Sequence, residues 1–261
     1  MSRFGVTLTG LATLTAVLFC LSLLTGPAGI PAGASLGALF SGEGSAVGIV
    51  MREIRLPRAL LALLIGAGLG LSGAALQGYL RNPLAEPGLL GISGTAALGA
   101  VLALYTGLSA AFPLALPLAG LAGAFAAALL VQALAGRGAT AITLILAGIA
   151  VSSLAAALTS LVLNLSPNPF AASEIVYWLL GSVADRTLPH LWLAAPFILA
   201  GLVVLMRLGR ALDALTLGED AAASMGVNLA RSRRLAVAGT ALAVGAGVAV
   251  AGWKRDARRA T

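Results

Sequence analysis

The chain has 261 residues, 59% of them hydrophobic and only 10% charged, with a mean hydropathy of +1.02, a composition outside the range of water-soluble domains. Its net charge of +7 comes from basic residues dispersed among short loops, which argues against nucleic acid as a partner and makes the charges reporters of membrane topology. One cysteine excludes internal disulfides and cysteine metal clusters, one histidine excludes His-rich zinc sites, and the sole lysine follows Trp253 rather than a phosphate-binding glycine loop.

Seven uncharged stretches, at 5–25, 59–79, 88–107, 112–135, 139–164, 188–206 and 235–252, are long enough to cross about 30 Å of hydrocarbon. The expected fold is all-α, a polytopic transmembrane helix bundle forming a single domain over 1–261 in a lipid bilayer. The first stretch follows Arg3 and precedes "PAGA" at 31–34, a signal-peptide pattern, but it is too long for a typical signal core and is read as a retained span. Within it Cys20 follows Phe19, not a small residue, so it reads as a buried apolar thiol rather than a lipid-modified one.

Arg52, Arg55 and Arg58 crowd the start of the second stretch. They are either snorkelling anchors or a docking patch that steers an acidic partner. Further along, Gly66, Gly70, Ala74 and Gly78 recur every four residues, a small-residue seam expected to pack closely against another helix. No Asp, Glu, Lys or Arg lies near the middle of any stretch, which disfavours a secondary carrier driven by ions or protons. Gln77, Gln132 and Asn164 lie near stretch ends and are expected to make interfacial or interhelical hydrogen bonds. His190 reads as an ordinary interfacial histidine.

The loop "LDALTLGEDAAASMGVNLARSRR" (212–234) has Gly218 as a breaker, Glu219 and Asp220 at a helix start, and Gly226 at its end. That grammar predicts a short helix lying across one face of the membrane. Arg3, Arg81, Arg137, Arg207, Arg210, Arg231, Arg233 and Arg234 fall on its side. Arg52, Arg55, Arg58 and Arg186 fall on the other. The excess places the N-terminus in the cytoplasm. Lys254, Arg255, Arg258 and Arg259 in the tail would cancel that excess.

The segment "RLPRALLALLIGAGLGLSGAALQGYLRNPLAEPGLLGISGTAALGA" contains Arg-x-Pro-Arg, Ser-Gly-x-x-x-Gln and Arg-Asn-Pro-Leu-Ala-x-Pro-x-x-Leu-Gly in succession. It resembles the membrane permease subunits of bacterial ABC importers for ferric siderophores, haem and cobalamin. "LILAGIAVSS" (144–153), "YWLLGS" (177–182) and "LGEDAAASMGV" (217–227) fit the same family in order.

The resemblance implies a ten-helix permease fold in the inner membrane that pairs as a homodimer or with a paralogous permease. It also implies two ATP-binding subunits on the cytoplasmic side and an extracytoplasmic substrate-binding protein. ATP is hydrolysed by the partner, and the chain itself needs no catalytic residue, cofactor or metal. Arg55 and Arg58 would dock the binding protein. Gly218, Glu219, Asp220, Ala221, Met225 and Gly226 would couple to the ATPase. Asn82, Pro83 and Leu84, with Thr140 and Thr143, would form the cytoplasmic gate.

By the same resemblance the chain lacks the family's last helices, because "AGWKRDARRAT" stands where three more would follow. The tail therefore carries no weight in the charge count. The alanine- and glycine-rich seventh stretch, with cations at both ends, is expected to insert incompletely. A truncated fragment that transports nothing is the rival reading.

Overall fold

The computed structural model describes residues 3–26, 29–40, 45–112, 114–136, 140–166, 169–184 and 186–252. Within them all regular structure is helical: α1 (Arg3–Leu24), α2 (Ala32–Phe40), α3 (Ala46–Leu80), α4 (Ile92–Tyr105), α5 (Ala115–Ala135), α6 (Ala141–Asn164), α7 (Pro169–Leu180), α8 (Leu188–Met206), α9 (Gly209–Leu215), α10 (Glu219–Ser224) and α11 (Leu229–Val250). Six of these, α1, α3, α5, α6, α8 and α11, are long and apolar enough to cross a membrane. Arg137 and the tail cations Lys254, Arg255, Arg258 and Arg259 lie outside the described residues, as does the side on which the tail emerges.

The expected third span is a composite. A 3-10 turn, Pro87–Leu90, leads through Gly91 at φ 71° into α4, a helix of 14 residues. At 1.5 Å per residue α4 alone rises only about 21 Å, and the turn adds roughly 8 Å at 2.0 Å per residue. Glycine is needed at the joint for two reasons. Its φ is left-handed, and a Cβ there would stand 2.9 Å from Val151 Cγ1 and 3.0 Å from the Ser152 nitrogen.

Chain direction alternates, so the bundle has two ends. The Arg3 end holds the turn after α3, the start of α6, α9 and α10. The Leu24 end holds α2, the beginning of α3, α7 and the start of α8. Arg233 at the start of α11 donates from Nη2 to the Gly136 carbonyl after α5, 2.7 Å away, and joins two segments at the Arg3 end. At the other end the Ser182 amide donates to the Ala251 carbonyl.

Two expectations are corrected by the packing. The seam of Gly66, Gly70 and Ala74 does not face a helix among the described residues: a Cβ on either glycine would meet nothing within 4 Å, and Gly70 and Ala74 are exposed. The packed face of α3 runs instead through Leu61, Gly68, Ser72, Ala75, Leu76 and Tyr79.

Among the six spans the weakly lipophilic α11 is the most buried within the protein, which leaves its insertion into lipid a separate matter. In its most apolar stretch 72% of residues are buried, against 6% in α1. Its small residues let the backbones of neighbouring helices come in close. A Cβ on Gly201 of α8 would sit 2.6 Å from the Ala243 nitrogen and 2.7 Å from the Gly239 carbonyl oxygen. The second correction concerns Cys20, which lies on the exposed face of α1 rather than inside.

Candidate functional site

At the Leu24 end, Pro57 shapes the Arg-x-Pro-Arg motif. Proline has no N–H to give and clashes with the carbonyl four residues back. The helix meets this with a π turn over Val50–Arg55, where the Leu56 amide donates to the Met51 carbonyl, five residues back. The widened turn carries Arg55 inward.

Arg55 is only 2% exposed. Its Nη1 donates to the Leu23 and Leu24 carbonyls, both at 3.0 Å. These are among the last carbonyls of α1, which have no partner inside their own helix and carry the negative end of its dipole. Gly26 makes room for the guanidinium, since a Cβ there would stand 2.9 Å from Nη2. Arg58, half-buried, reaches the Ser22 carbonyl at 3.4 Å, and Arg52 donates to the Ala38 carbonyl at 3.2 Å. The arginine cluster thus fastens α1 and α2 to α3 in this conformation.

The Arg3 end is built differently. Helix α3 stops at Arg81, which takes φ 49°, the one positive φ on a non-glycine residue among those described. Left-handed backbone costs a side-chain-bearing residue roughly 1–2 kcal/mol, and glycine is the usual occupant of such a helix stop. The Asn82 amide then closes back on the Gln77 carbonyl at 3.1 Å. Asn82 Oδ1 accepts from the Leu84 amide at 2.9 Å, an Asx turn before Pro83 completes the reversal. Leu84 projects from this turn, 84% exposed.

The loop helix expected from Gly218 and Gly226 is α10. Gly218 has φ 108° and Gly226 φ 85°, backbone that residues with side chains rarely adopt. Glu219 and Asp220 lie in the first turn, where acid is favoured by the helix dipole. Ala222 is fully buried while Leu217 and Met225 are exposed. At the head of α6, Thr140 Oγ1 accepts from the Thr143 amide at 3.4 Å and lies 3.1 Å from Thr143 Oγ1. Thr140 is therefore a helix cap.

Three of these segments meet. A recess of about 480 Å³ is lined by Arg81 from the turn, Thr140, Ala141 and Ile142 from α6, and Leu217, Gly218, Glu219, Asp220 and Ala221 from the loop. Arg81 and Thr140 are joined there with four of the expected coupling residues. Asn82, Pro83, Leu84, Thr143, Met225 and Gly226 flank the recess along the chain without lining it, and Arg55 and Arg58 are at the opposite end of the bundle.

Arg233 and Arg186 read in the sequence only as topology markers. Arg233 is buried on the same face of α11 as Ala236 and Val237, a cation inside an apolar helical stripe. That spacing is the signal that could have marked it as a fastener. Arg186 is also buried, and its Nη1 lies 3.2 Å from His190 Nε2, while Thr187 Oγ1 lies 3.2 Å from His190 Nδ1. The expected interfacial histidine is thus tied into its helix start. Asn164 bonds within its own helix, to the Ser160 carbonyl at 2.8 Å.

Comparison with known proteins places this geometry. Residues 14–253 match the FecCD transport family. The chain belongs to that family. It is 35% identical over 251 residues to the ferric enterobactin transport system permease protein FepD of Escherichia coli, covering 95% of this chain and 74% of FepD. It is 36% identical over 249 residues to the vitamin B12 import system permease protein BtuC of Klebsiella pneumoniae, covering 95% of this chain and 71% of that protein.

An ABC transporter permease protein of Bacillus subtilis, YvrB, is 38% identical over 208 residues, with 58% of its length covered. The chain thus spans somewhat over half to about three quarters of the relatives it matches. A solved structure described as an inward-facing conformation of a metal-chelate type ABC transporter superposes with a TM-score of 0.81 at 31% identity, over 95% of this chain and 76% of that one.

Proposed function

We propose that the chain is a permease subunit of an ABC importer that moves a metal chelate, a ferric siderophore, haem or cobalamin, across the inner membrane. The observation that carries this reading is the recess at the Arg3 end, where the turn after α3, the cap of α6 and the segment leading into α10 converge. Leu217, which lines it, is exposed, as are Leu84 and Met225 in the chain segments that flank it. An apolar rim around fixed carboxylates on a short helix is a surface made for a soluble partner. The fitting partner is an ATP-binding subunit, two of which would serve a pair of permeases, either two copies of this chain or this chain with a paralogue.

The Arg3 end then faces the cytoplasm. Among the described residues it carries Arg3, Arg81, Arg207, Arg210, Arg231, Arg233 and Arg234, against Arg52, Arg55, Arg58 and Arg186 at the Leu24 end. An extracytoplasmic binding protein docks at the Leu24 end, where Arg58 and Arg52 keep part of their surface and Arg55 holds α1 in place behind them. The gate is formed by Asn82, Pro83 and Leu84 with the Thr140 and Thr143 cap.

The test is co-expression with the ATPase and binding protein of a ferric siderophore system in a strain lacking that system's permease. Co-purification of the ATPase and its loss with Gly226→Pro, which cannot adopt φ 85°, are expected, together with restored uptake. An ATPase retained by the Gly226→Pro variant at the parent yield would remove the coupling role. Failure of the parent chain to restore uptake would leave the non-transporting fragment as the correct reading. Labelling of Leu84→Cys by an impermeant thiol reagent in intact cells would reverse the orientation.

A further inference from the structure

The strained residue at the end of α3 lies next to the recess, and its side chain leads to the coupling segment. Helix α3 stops where glycine would serve without cost, yet Arg81 occupies the left-handed position. A side chain held in unfavourable backbone points to a role for that side chain. The nearest side-chain atom to the face of Gly218 is Arg81 Nη1, 3.8 Å from where a Cβ would stand. Gly218 itself must be glycine for its φ of 108°, so it has no side chain to stand between its backbone and the guanidinium. Glu219 and Asp220 follow directly and line the same recess as Arg81.

We infer that Arg81 is a positioning residue whose guanidinium, laid over Gly218, sets the separation between the turn 82–84 and the segment 217–226. The turn is joined to α3 through Arg81 itself, and the segment is flanked by two positive-φ glycines at 218 and 226. The glycines at 218 and 226 give the coupling segment backbone freedom that residues with side chains lack. The Arg81 guanidinium lies between them, close to Gly218 and in the recess that Glu219 and Asp220 also line, and so transmits a shift of one to the other. Movement of the coupling segment by a partner therefore moves the turn bearing Leu84. This inference rests on the importer reading for its consequence in transport, while the positioning itself belongs to the chain alone.

The two are separated by one experiment with two readouts. Spin labels at Leu84→Cys and Leu217→Cys, both exposed positions, in a Cys20→Ser background report the separation in the full chain in lipid nanodiscs. A single narrow distance distribution is expected for the parent, a broad one for Arg81→Gly, and an intermediate one for Arg81→Lys. Because glycine relieves the left-handed backbone, Arg81→Gly unfolds no earlier than the parent, so broadening is not a sign of misfolding.

The second readout is the ratio of ATP hydrolysis with loaded binding protein to basal hydrolysis in the assembled complex. Arg81→Gly lowers that ratio about tenfold, the scale of a typical coupling between sites. A distribution as narrow in Arg81→Gly as in the parent overturns the inference, even if the ratio falls, because the arginine then acts directly on the partner. Broadening in a chain that binds no ATPase upholds the positioning and overturns the importer reading instead.

Discussion

Two runs of small residues in this chain have opposite fates. Gly66, Gly70, Ala74 and Gly78 on α3 follow the four-residue rhythm of a helix-packing seam, yet Gly66 and Gly70 meet nothing and only Gly78 has a neighbour, Leu212 at 3.5 Å. The run from Leu235 to Gly252 lacks so regular a rhythm and is poor in lipid-soluble bulk, yet it forms the centre of the bundle. Spacing shows that small residues share a face. Whether that face meets protein depends on what the neighbours present, and around α11 the neighbours are themselves small: Gly201 of α8, Gly120 and Ala124 of α5. Mutual smallness lets backbones approach, and in lipid such approach replaces the hydrophobic drive that water supplies elsewhere.

The sharpest way to break this comparison is to enlarge both runs. Gly201→Leu puts bulk within 2.7 Å of backbone atoms of α11, where no side chain can swing aside. Over-packing of this kind costs about 1–3 kcal/mol and more where only backbone is available to move. At Gly245 the added Cβ would overlap Ala124 Cβ, so Gly245→Leu should behave alike. Gly70→Leu enters open space and should leave stability within about 0.5 kcal/mol, as for surface changes elsewhere. Unfolding of the purified chain in mixed micelles measures all three. A Gly70→Leu penalty equal to that of Gly201→Leu would show that the α3 seam is packed after all.

The middle-sized effect concerns a charge whose fate also reverses expectation. Arg55 reads as an outward cation because it belongs to a cluster, but the π turn before Pro57 turns it inward onto the end of α1. Arg55→Ala removes two hydrogen bonds donated by a charged group, worth about 1.5–3 kcal/mol. It also frees Nε and Nη2 from burial without acceptors among the described residues. The net effect expected is a loss of roughly 1–2 kcal/mol, seen as faster hydrogen exchange in the last turn of α1. Arg58→Ala, whose hydrogen bond to Ser22 is long at 3.4 Å, should leave that exchange unchanged. Equal exchange in the two variants would return Arg55 to the outward group.

What the sequence made legible follows from which signals are local. Span positions emerge because hydrocarbon thickness demands a minimum length, and the break of the third span at Gly91 is hidden because glycine is common in membrane helices. The ends of α10 are visible in Gly218 and Gly226, whose positive φ is a property of single residues. The recess is not visible in this way, since Arg81, Thr140 and Gly218 are brought together by the packing of α3, α6 and the loop. Resemblance to a known family assigns Thr140 to a gate and Gly218 to a coupling segment without joining the two or including Arg81, and it gives no hint that Arg55 and Arg233 are buried. In a sequence, charge reads as a sign of exposure, and only a helix register or a proline-driven π turn says otherwise.

The smallest effect sharpens the comparison from the other side. If the seam of α3 is open as the structure has it, a methyl group at Gly66 or Gly70 meets no atom within 4 Å, and what remains is the intrinsic preference of the helix. Alanine exceeds glycine there by about 0.8–1.0 kcal/mol in a helix interior, because glycine loses more backbone freedom on folding. Gly66→Ala and Gly70→Ala should therefore each raise stability, by up to about 1 kcal/mol. Gly78→Ala, in ordinary contact with Leu212, should raise it less. Gly201→Ala should lower it, because its methyl group has backbone at 2.6 Å and nowhere to go. The sign of these four alanine substitutions, more than their size, separates a packed glycine from an open one. A seam already filled, for instance by a second copy at high protein concentration in the membrane, would turn the first two signs negative. Repeating the measurement at several protein-to-lipid ratios tells these cases apart, since a contact between copies weakens on dilution and the preference of a single helix does not.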